Sequence, residues 1–142
     1  MEQLNDVIFY SIDKAIRTYR QYAQRELKKA GFTITIDQWL IIKHILEYPD
    51  ISQQKLGEKV FKDNASVTRI INLLVKANYL NREISNSDRR RTELSVTSKG
   101  KKTISEVRKI ILKNRSNALN GISKTNIENM KITLQTITKN CS

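Results

Sequence analysis

Apolar positions recur at steps of three and four along most of this chain and switch to strict alternation only once. Leu4, Ile8, Ile12, Ile16, Tyr19, Ala23 and Leu27 share one face of a long helix. The helix is predicted to stop near Gly31, since glycine readily takes the left-handed conformation that follows a helix end. Thr35 reads as the N-cap of a second helix, with Asp37 and Gln38 in its first turn. Ile36, Trp39, Leu40, Ile42, Ile45 and Leu46 make that helix apolar on more than one side, which predicts a central position, and Tyr48-Pro49-Asp50 ends it. Ser52 caps a short helix over 53–60 whose inward stripe is Leu56 and Val60. After the tight connection Phe61-Lys62-Asp63, either Asp63 or Asn64 caps a helix running to about Asn78. There Val67, Ile70, Ile71, Leu74 and Val75 point inward, and Ser66, Thr68, Arg69, Asn72 and Lys76 point outward.

From Tyr79 the period changes to two. Leu80 and Ile84 flank Asn81-Arg82-Glu83, a turn-forming basic run follows over 85–91, and 92–97 alternates polar and apolar. This reads as two short strands joined by a basic loop, a β-hairpin or wing. Thr97 or Ser98 then caps a long helix striped by Ile104, Val107, Ile111, Ala118 and Ile122. Ser123 or Thr125 caps a last helix carrying Ile127, Met130, Leu134 and Ile137, a near-heptad spacing suited to helix pairing. The predicted fold is mainly α with a small two-stranded β-wing. It is a winged helix-turn-helix of about six helices in a single domain over 1–142. Its winged core lies at about 35–100, with dimerisation helices at about 4–30 and 98–139. The stripes of the end helices are more than a lone chain of this size buries, so a twofold homodimer is expected.

Composition narrows the function. At 39% hydrophobic and 28% charged residues, with four glycines and one proline, the 142-residue chain suits a helical globular domain. No apolar run approaches the ~20 residues needed to cross a bilayer. The start of the chain lacks the basic and apolar regions of a signal peptide, so no membrane partner and a cytoplasmic location are expected. The one cysteine, Cys141, forms no intrachain disulfide, and so near the chain end it suits redox sensing poorly. The net charge of +12 favours a polyanionic partner, although solvated lysines on helix faces give the same number. The net charge rises from +1 over 1–47 through +4 over 48–100 to +7 over 101–142, yet the groove-sized polar face lies in the middle third. A helix exposing short polar side chains and an arginine is what a DNA major groove accepts, so the pattern outweighs the charge. Enzyme chemistry lacks its parts. There is a single histidine, no glycine-rich phosphate loop and no convincing carboxylate pair, so no catalytic residue and no cofactor are expected. His44, on the apolar second helix, reads as a packed histidine and not a metal ligand.

The run 63–75, Asp-Asn-Ala-Ser-Val-Thr-Arg-Ile-Ile-Asn-Leu-Leu-Val, resembles the recognition helix of MarR-type regulators, where Thr-Arg precedes an apolar pair and a leucine. The resemblance continues at Asp88-Arg89-Arg90, similar to that family's Asp-x-Arg wing tip. Thr97 and Gly100 match its Leu-Thr-x-x-Gly segment, with Val96 replacing the leucine. Ile36-Asp37-Gln38-Trp39 resembles the start of the family's second helix, so the likeness spans essentially the whole chain. It implies a transcriptional regulator, usually a repressor, that binds palindromic double-stranded DNA as a homodimer. The implied contacts are Ser66, Thr68, Arg69 and Asn72 on the recognition helix, with Arg69 meeting a guanine edge or a phosphate. On the wing, Arg90 occupies the family's arginine position for a minor groove, Asp88 orients a neighbouring arginine, and Arg89 and Arg91 meet phosphates. Lys62 is a phosphate candidate, as are Ser52, Gln53 and Gln54 at a helix start, where plain capping is the competing role; Asn64 reads as a cap before a base contact.

The resemblance further implies a small aromatic effector, for which Tyr10, Arg17, Trp39 and Lys43 are the candidate lining; Trp39 as core and Arg17 as surface is the favoured alternative. Two other functions fit a winged helix: a protein-interaction adaptor, and a nucleoid-like DNA binder without sequence preference. The basic tip at 88–91 beside Thr68 and Arg69 argues against the adaptor.

Overall fold

Five of the six helices among the described residues begin with a side chain that closes their first turn. In the computed structural model, which describes residues 1–88 and 90–142, α1 spans Ile8–Lys29, α2 Ile36–Glu47, α3 Gln53–Val60, α4 Asn64–Lys76, α5 Ser98–Ala118 and α6 Lys124–Cys141. Strands β1 (Leu80–Ile84) and β2 (Thr92–Val96) lie between α4 and α5. Thr35 and Gln38 form a reciprocal capping box at α2, each side chain meeting the other's backbone at 3.0 Å. Ser52 accepts from the Lys55 N–H at 3.1 Å, Thr97 from Gly100 at 2.9 Å and Ser123 from Asn126 at 3.1 Å. Each hydroxyl cap contributes roughly 0.5–2 kcal/mol. Where the sequence left two candidates, Thr97 and Ser123 are the caps. At α4 the cap is Asp63, whose carboxylate accepts from Ser66 N–H at 2.7 Å. The capping role expected of Asn64 is therefore corrected: Asn64 is already the first helical residue.

α1 has no side-chain cap. A single 3-10 turn, Leu4–Asp6, precedes it, and Val7 is extended, so the helix expected from Leu4 starts at Ile8. At its other end Gly31 takes φ +89°, the conformation the sequence required there.

The core sits under the winged half. Ile41, Ile42 and Ile45 of α2 meet Leu56 and Val60 of α3, Val67, Ile71 and Leu74 of α4, Leu80 of β1 and Val107 of α5. Central α2 touches α3, α4, α5 and β2, as its two-sided apolar pattern predicts. The antiparallel hairpin pairs Leu80 with Val96 and Ile84 with Thr92. Its root is buried at Leu80 while Ile84 stands exposed, so the hairpin leaves the body as it proceeds.

The hairpin root is tied to the end of α4. Thr97 Oγ1 donates to Asn78 O at 2.6 Å, Thr97 N–H donates to Tyr79 O at 3.1 Å, and Lys99 Nζ reaches Ala77 O at 2.9 Å. Gly100 is buried there; a Cβ in its place would lie 2.5 Å from Tyr79 O, which only a shift of backbone could relieve. That close approach gives the glycine of the Thr-x-x-Gly segment its physical reason. α5 packs on α1, whereas no residue of α6 is buried.

Candidate nucleic-acid interface

The outward face of α4 is a set of side chains held by one another. Asn72 and Arg69 are exposed, Ser66 and Thr68 half-buried, and Val67, Ile71 and Leu74 anchor the opposite face. Arg69 Nη2 donates to Ser66 Oγ at 3.2 Å. Thr68 Oγ1 donates to Asn64 O at 2.9 Å and accepts from Gln53 Nε2 at 2.6 Å. Gln53 also donates to Asn64 Oδ1 at 2.9 Å, so the start of α3 grips the first turn of α4. Thr68, expected outside as a polar contact, thus has its hydroxyl engaged and presents mainly a methyl group. Ser66, Arg69 and Asn72 retain outward donors.

Asp63, beneath this turn, has its carboxyl held below the usual range. The hydrogen bonds from Ser66 are the main cause, and the Arg69 guanidinium adds to them. At a helix N-terminus the retained negative charge also complements the dipole.

Beside α4, the turn between α3 and α4 forms an open groove of about 360 Å³ that brings together Gln53, Gln54, Lys62 and Asn64. Ser52 is not among its lining residues and serves as a cap. Lys62 is half-buried and pairs with Asp37 at 3.3 Å; Asp37 also pairs with Arg20 of α1. Asp37 thus carries two cations, and the cluster of Lys62, Arg20 and Asp37 keeps a net positive charge.

At the wing tip Asp88 shapes the turn. Its Oδ1 accepts from the Arg90 backbone N–H at 3.0 Å, and its carbonyl accepts from Arg91 N–H at 3.0 Å. Asp88 therefore fixes the backbone of the turn at Arg90 and Arg91, and no hydrogen bond or ion pair joins it to an arginine side chain among the described residues. Arg90 and Arg91 are exposed, and Arg89 lies outside the described residues.

Arg82 was not singled out by sequence. It stands on β1, and its Nη1 donates to Asn72 Oδ1 at 2.6 Å. The alternation of the strand placed Arg82 on the side of Leu80, but the pairing with a helix residue ten positions earlier needs the three-dimensional packing of β1 on α4.

The four residues expected to line an effector cleft do not converge. Tyr10 lines an open groove between α1 and the end of α5. Arg17 is a surface residue paired with Asp13 at 2.9 Å. Trp39 and Lys43 share a cavity of about 360 Å³ with His44, Ile104, Arg108 and Arg115. On its other flank Trp39 faces a cavity of about 210 Å³ bounded by Tyr19, Arg20, Ile111, Asn114 and Arg115. Arg115 lies over the Trp39 ring at 5.7 Å, a cation–π distance. Asn114 is buried, and its Nδ2 has no hydrogen-bond partner among the described residues. The signal for Asn114 was present in the sequence as an amide interrupting the stripe between Ile111 and Ala118. His44 is half-buried, with Nδ1 2.8 Å from Leu40 O.

Residues 34–92 match the MarR family. Among solved structures, a Listeria innocua protein of unknown function is 27% identical over 94% of this chain and 91% of its own, with a TM-score of 0.68. The MepR–DNA complex of S. aureus superposes with a TM-score of 0.85 at 17% identity, covering 96% and 99% of the two chains. Bordetella bronchiseptica BpsR, whose DNA binding is regulated by 6-hydroxynicotinic acid, gives 0.87 at 14% identity, covering 97% of each. The family match thus runs from just before α2 to the first residue of β2, and nearly end to end the chain has the winged helix-turn-helix fold of MepR and BpsR.

Proposed function

We propose that the protein is a repressor that binds palindromic operator DNA as a homodimer and lets go when a small aromatic effector binds. The observation that carries this reading is the single exposed face of α4 bearing Ser66, Arg69 and Asn72, fixed on the same rigid unit as the basic hairpin loop. A helix of that width and polarity fits a major groove, and a basic loop beside it reaches the adjacent minor groove.

In this reading Ser66, Arg69 and Asn72 meet base edges and Thr68 offers its methyl to thymine. Arg90 enters the minor groove, while Arg89, Arg91, Asn64, Gln54, Lys62 and the N-terminus of α3, with Ser52 and Gln53, meet phosphates. The exposed apolar side chains of α1 and α6, among them Phe9, Met130 and Ile132, are covered by the second copy. That pairing sets two α4 helices about one DNA turn, ~34 Å, apart. MepR, solved with DNA, and BpsR, regulated by an aromatic acid, support both parts by likeness of fold. The cavities either side of Trp39 offer an aromatic wall, the Arg20 and Arg115 cations and the unpaired Asn114 amide to such an effector. The protein acts by binding and not by catalysis, and works in the cytoplasm.

The test is selection from a random duplex pool at near-physiological salt. An inverted repeat is expected. Duplexes without a consensus would indicate a nucleoid-like binder, and no retained duplex would indicate a protein adaptor. For the effector, an aromatic acid that weakens DNA binding must itself bind the DNA complex less tightly than the free protein, by the same factor.

A further inference from the structure

We infer that Arg82, a residue of the wing strand, sets which base Asn72 prefers, because it holds the Asn72 carbonyl with a positive charge and turns the amide NH₂ group away as the free donor. The inference rests on the reading of α4 as the DNA-reading helix, and the experiment below separates the two.

The hydrogen-bond partners fix the orientation of each amide. Arg82 Nη1 lies 2.6 Å from Asn72 Oδ1. A guanidinium carries donors and no acceptor, so the atom facing it has to be the amide oxygen, and the Asn72 NH₂ group is turned away from it. The first turn of α4 repeats the arrangement by another route. Thr68 gives its hydroxyl hydrogen to Asn64 O at 2.9 Å, so it can only accept from Gln53, which places the Gln53 NH₂ group there at 2.6 Å. The second hydrogen of that group goes to Asn64 Oδ1 at 2.9 Å, which turns the Asn64 NH₂ group away from Gln53 too. Ser66 accepts from Arg69 at 3.2 Å and keeps its own hydrogen to give. From Asn64 through Ser66 and Arg69 to Asn72, each side chain keeps a donor hydrogen, and each accepting oxygen already has one donor on it.

The consequence is specific to the bases. A free asparagine reads adenine bidentately, giving a hydrogen to N7 and accepting one from N6. With Arg82 on one of its two lone pairs, the Asn72 oxygen is a poorer acceptor for the adenine amino hydrogen, because the guanidinium charge beside it repels a second donor there. Guanine presents N7 and O6, two acceptors side by side, and matches the free NH₂ group. Arg82 therefore turns the residue type that ordinarily selects adenine into one that selects guanine, without touching the base itself. It is a positioning residue, placed on the wing and acting through the helix.

The experiment is parallel selection from a random duplex pool with the wild type and the variants Arg82→Met, Arg82→Lys and Asn72→Ala. Asn72→Ala is expected to erase the preference at one position in each half-site, which locates the base it reads. At that position the wild type should return guanine, Arg82→Lys should keep guanine because an ammonium also only donates, and Arg82→Met should return adenine. The guanine-to-adenine ratio should fall by about tenfold or more, the discrimination ordinarily carried by one bidentate pair. If Arg82→Met and the wild type agree at the position Asn72→Ala erases, the inference is overturned while the DNA-reading function stands. The inference is equally overturned if Asn72→Ala changes no position. It also fails if Arg82→Met loses all binding while Arg82→Lys retains it, which would make Arg82 a phosphate anchor. If the wild type itself retains no consensus, the proposed function falls, and the inference with it.

Discussion

The winged half and the terminal helices draw on the same apolar residues and differ in what covers them. In residues 34–100, Ile41, Leu56, Val67 and Leu74 are all 0% exposed, each enclosed by neighbours from other elements. In the terminal helices Phe9 is 58% exposed, Met130 52% and Ile132 58%, and α6 has no fully buried residue, only the half-buried Ile127 and Ile137. Both regions show helical periodicity of comparable clarity. Periodicity therefore states that a face will be covered and is silent on whether the cover comes from the same chain. Composition does not separate the regions either, for the exposed terminal helices also carry the largest share of the positive charge.

Perturbing the two regions should give opposite signatures. The largest effect is expected for Leu56→Ala, which removes a fully enclosed side chain and should cost about 2–5 kcal/mol in chemical denaturation. A loss under about 1 kcal/mol would mean that the winged half collapses around the gap. Next, Leu134→Lys should leave the helical circular dichroism intact and shift sedimentation from dimer to monomer, with the dissociation constant rising at least about tenfold. An unchanged dimer would show that α6 is covered elsewhere or not at all. A smaller effect is expected for Arg90→Ala, which should lower the slope of log affinity against log salt by about one unit. An unchanged slope would take the wing tip out of the contact.

The smallest effect concerns Asp63→Asn. The Asp63 carboxyl is held below its ordinary value of 3.8, chiefly by hydrogen bonds from Ser66. Its folded-state value is thus the lower one, so its contribution is complete above the ordinary carboxylate range and disappears as pH falls through the lowered value. Asparagine keeps a cap and cannot titrate. The wild type should therefore melt above Asp63→Asn near neutral pH, and the gap should close as the medium becomes strongly acidic. A gap that is constant with pH would assign the difference to geometry alone.

Much of the fold was legible because local rules and long-range packing agree here. Ser52, Thr35 and the short-range hairpin are each set by neighbours within a few positions. The residues that needed the structure are those whose partners are distant or whose chemistry is ambiguous. Asp63 and Asn64 both make good caps, and only the backbone decides which one is outside the helix. Thr68 looks like a free contact until Gln53, fifteen residues earlier, is found to hold it. The four effector candidates do not line one cleft: Trp39 and Lys43 share a cavity, whereas Tyr10 lies on a separate groove and Arg17 pairs with Asp13 on the surface. The groups that do converge on Trp39, Arg20 and Arg115, are ordinary surface arginines in sequence. Lys62 could not be known to lean on Asp37 before α2 and the α3–α4 turn were placed side by side.

The junction at Thr97 and Gly100 has a mechanical meaning. With the hairpin root bonded to the end of α4 and no room under Gly100, the start of α5 has no slack relative to the recognition helix. α5 spans 21 residues, roughly 30 Å of stiff rod, and its far end lies among the helices that would meet a second copy. Tilting such a rod by about 6° displaces its tip by ~3 Å, close to the spacing of successive base pairs. A disturbance at the far end too small to break any single contact there is delivered at the other as a loss of alignment by one full step of the duplex.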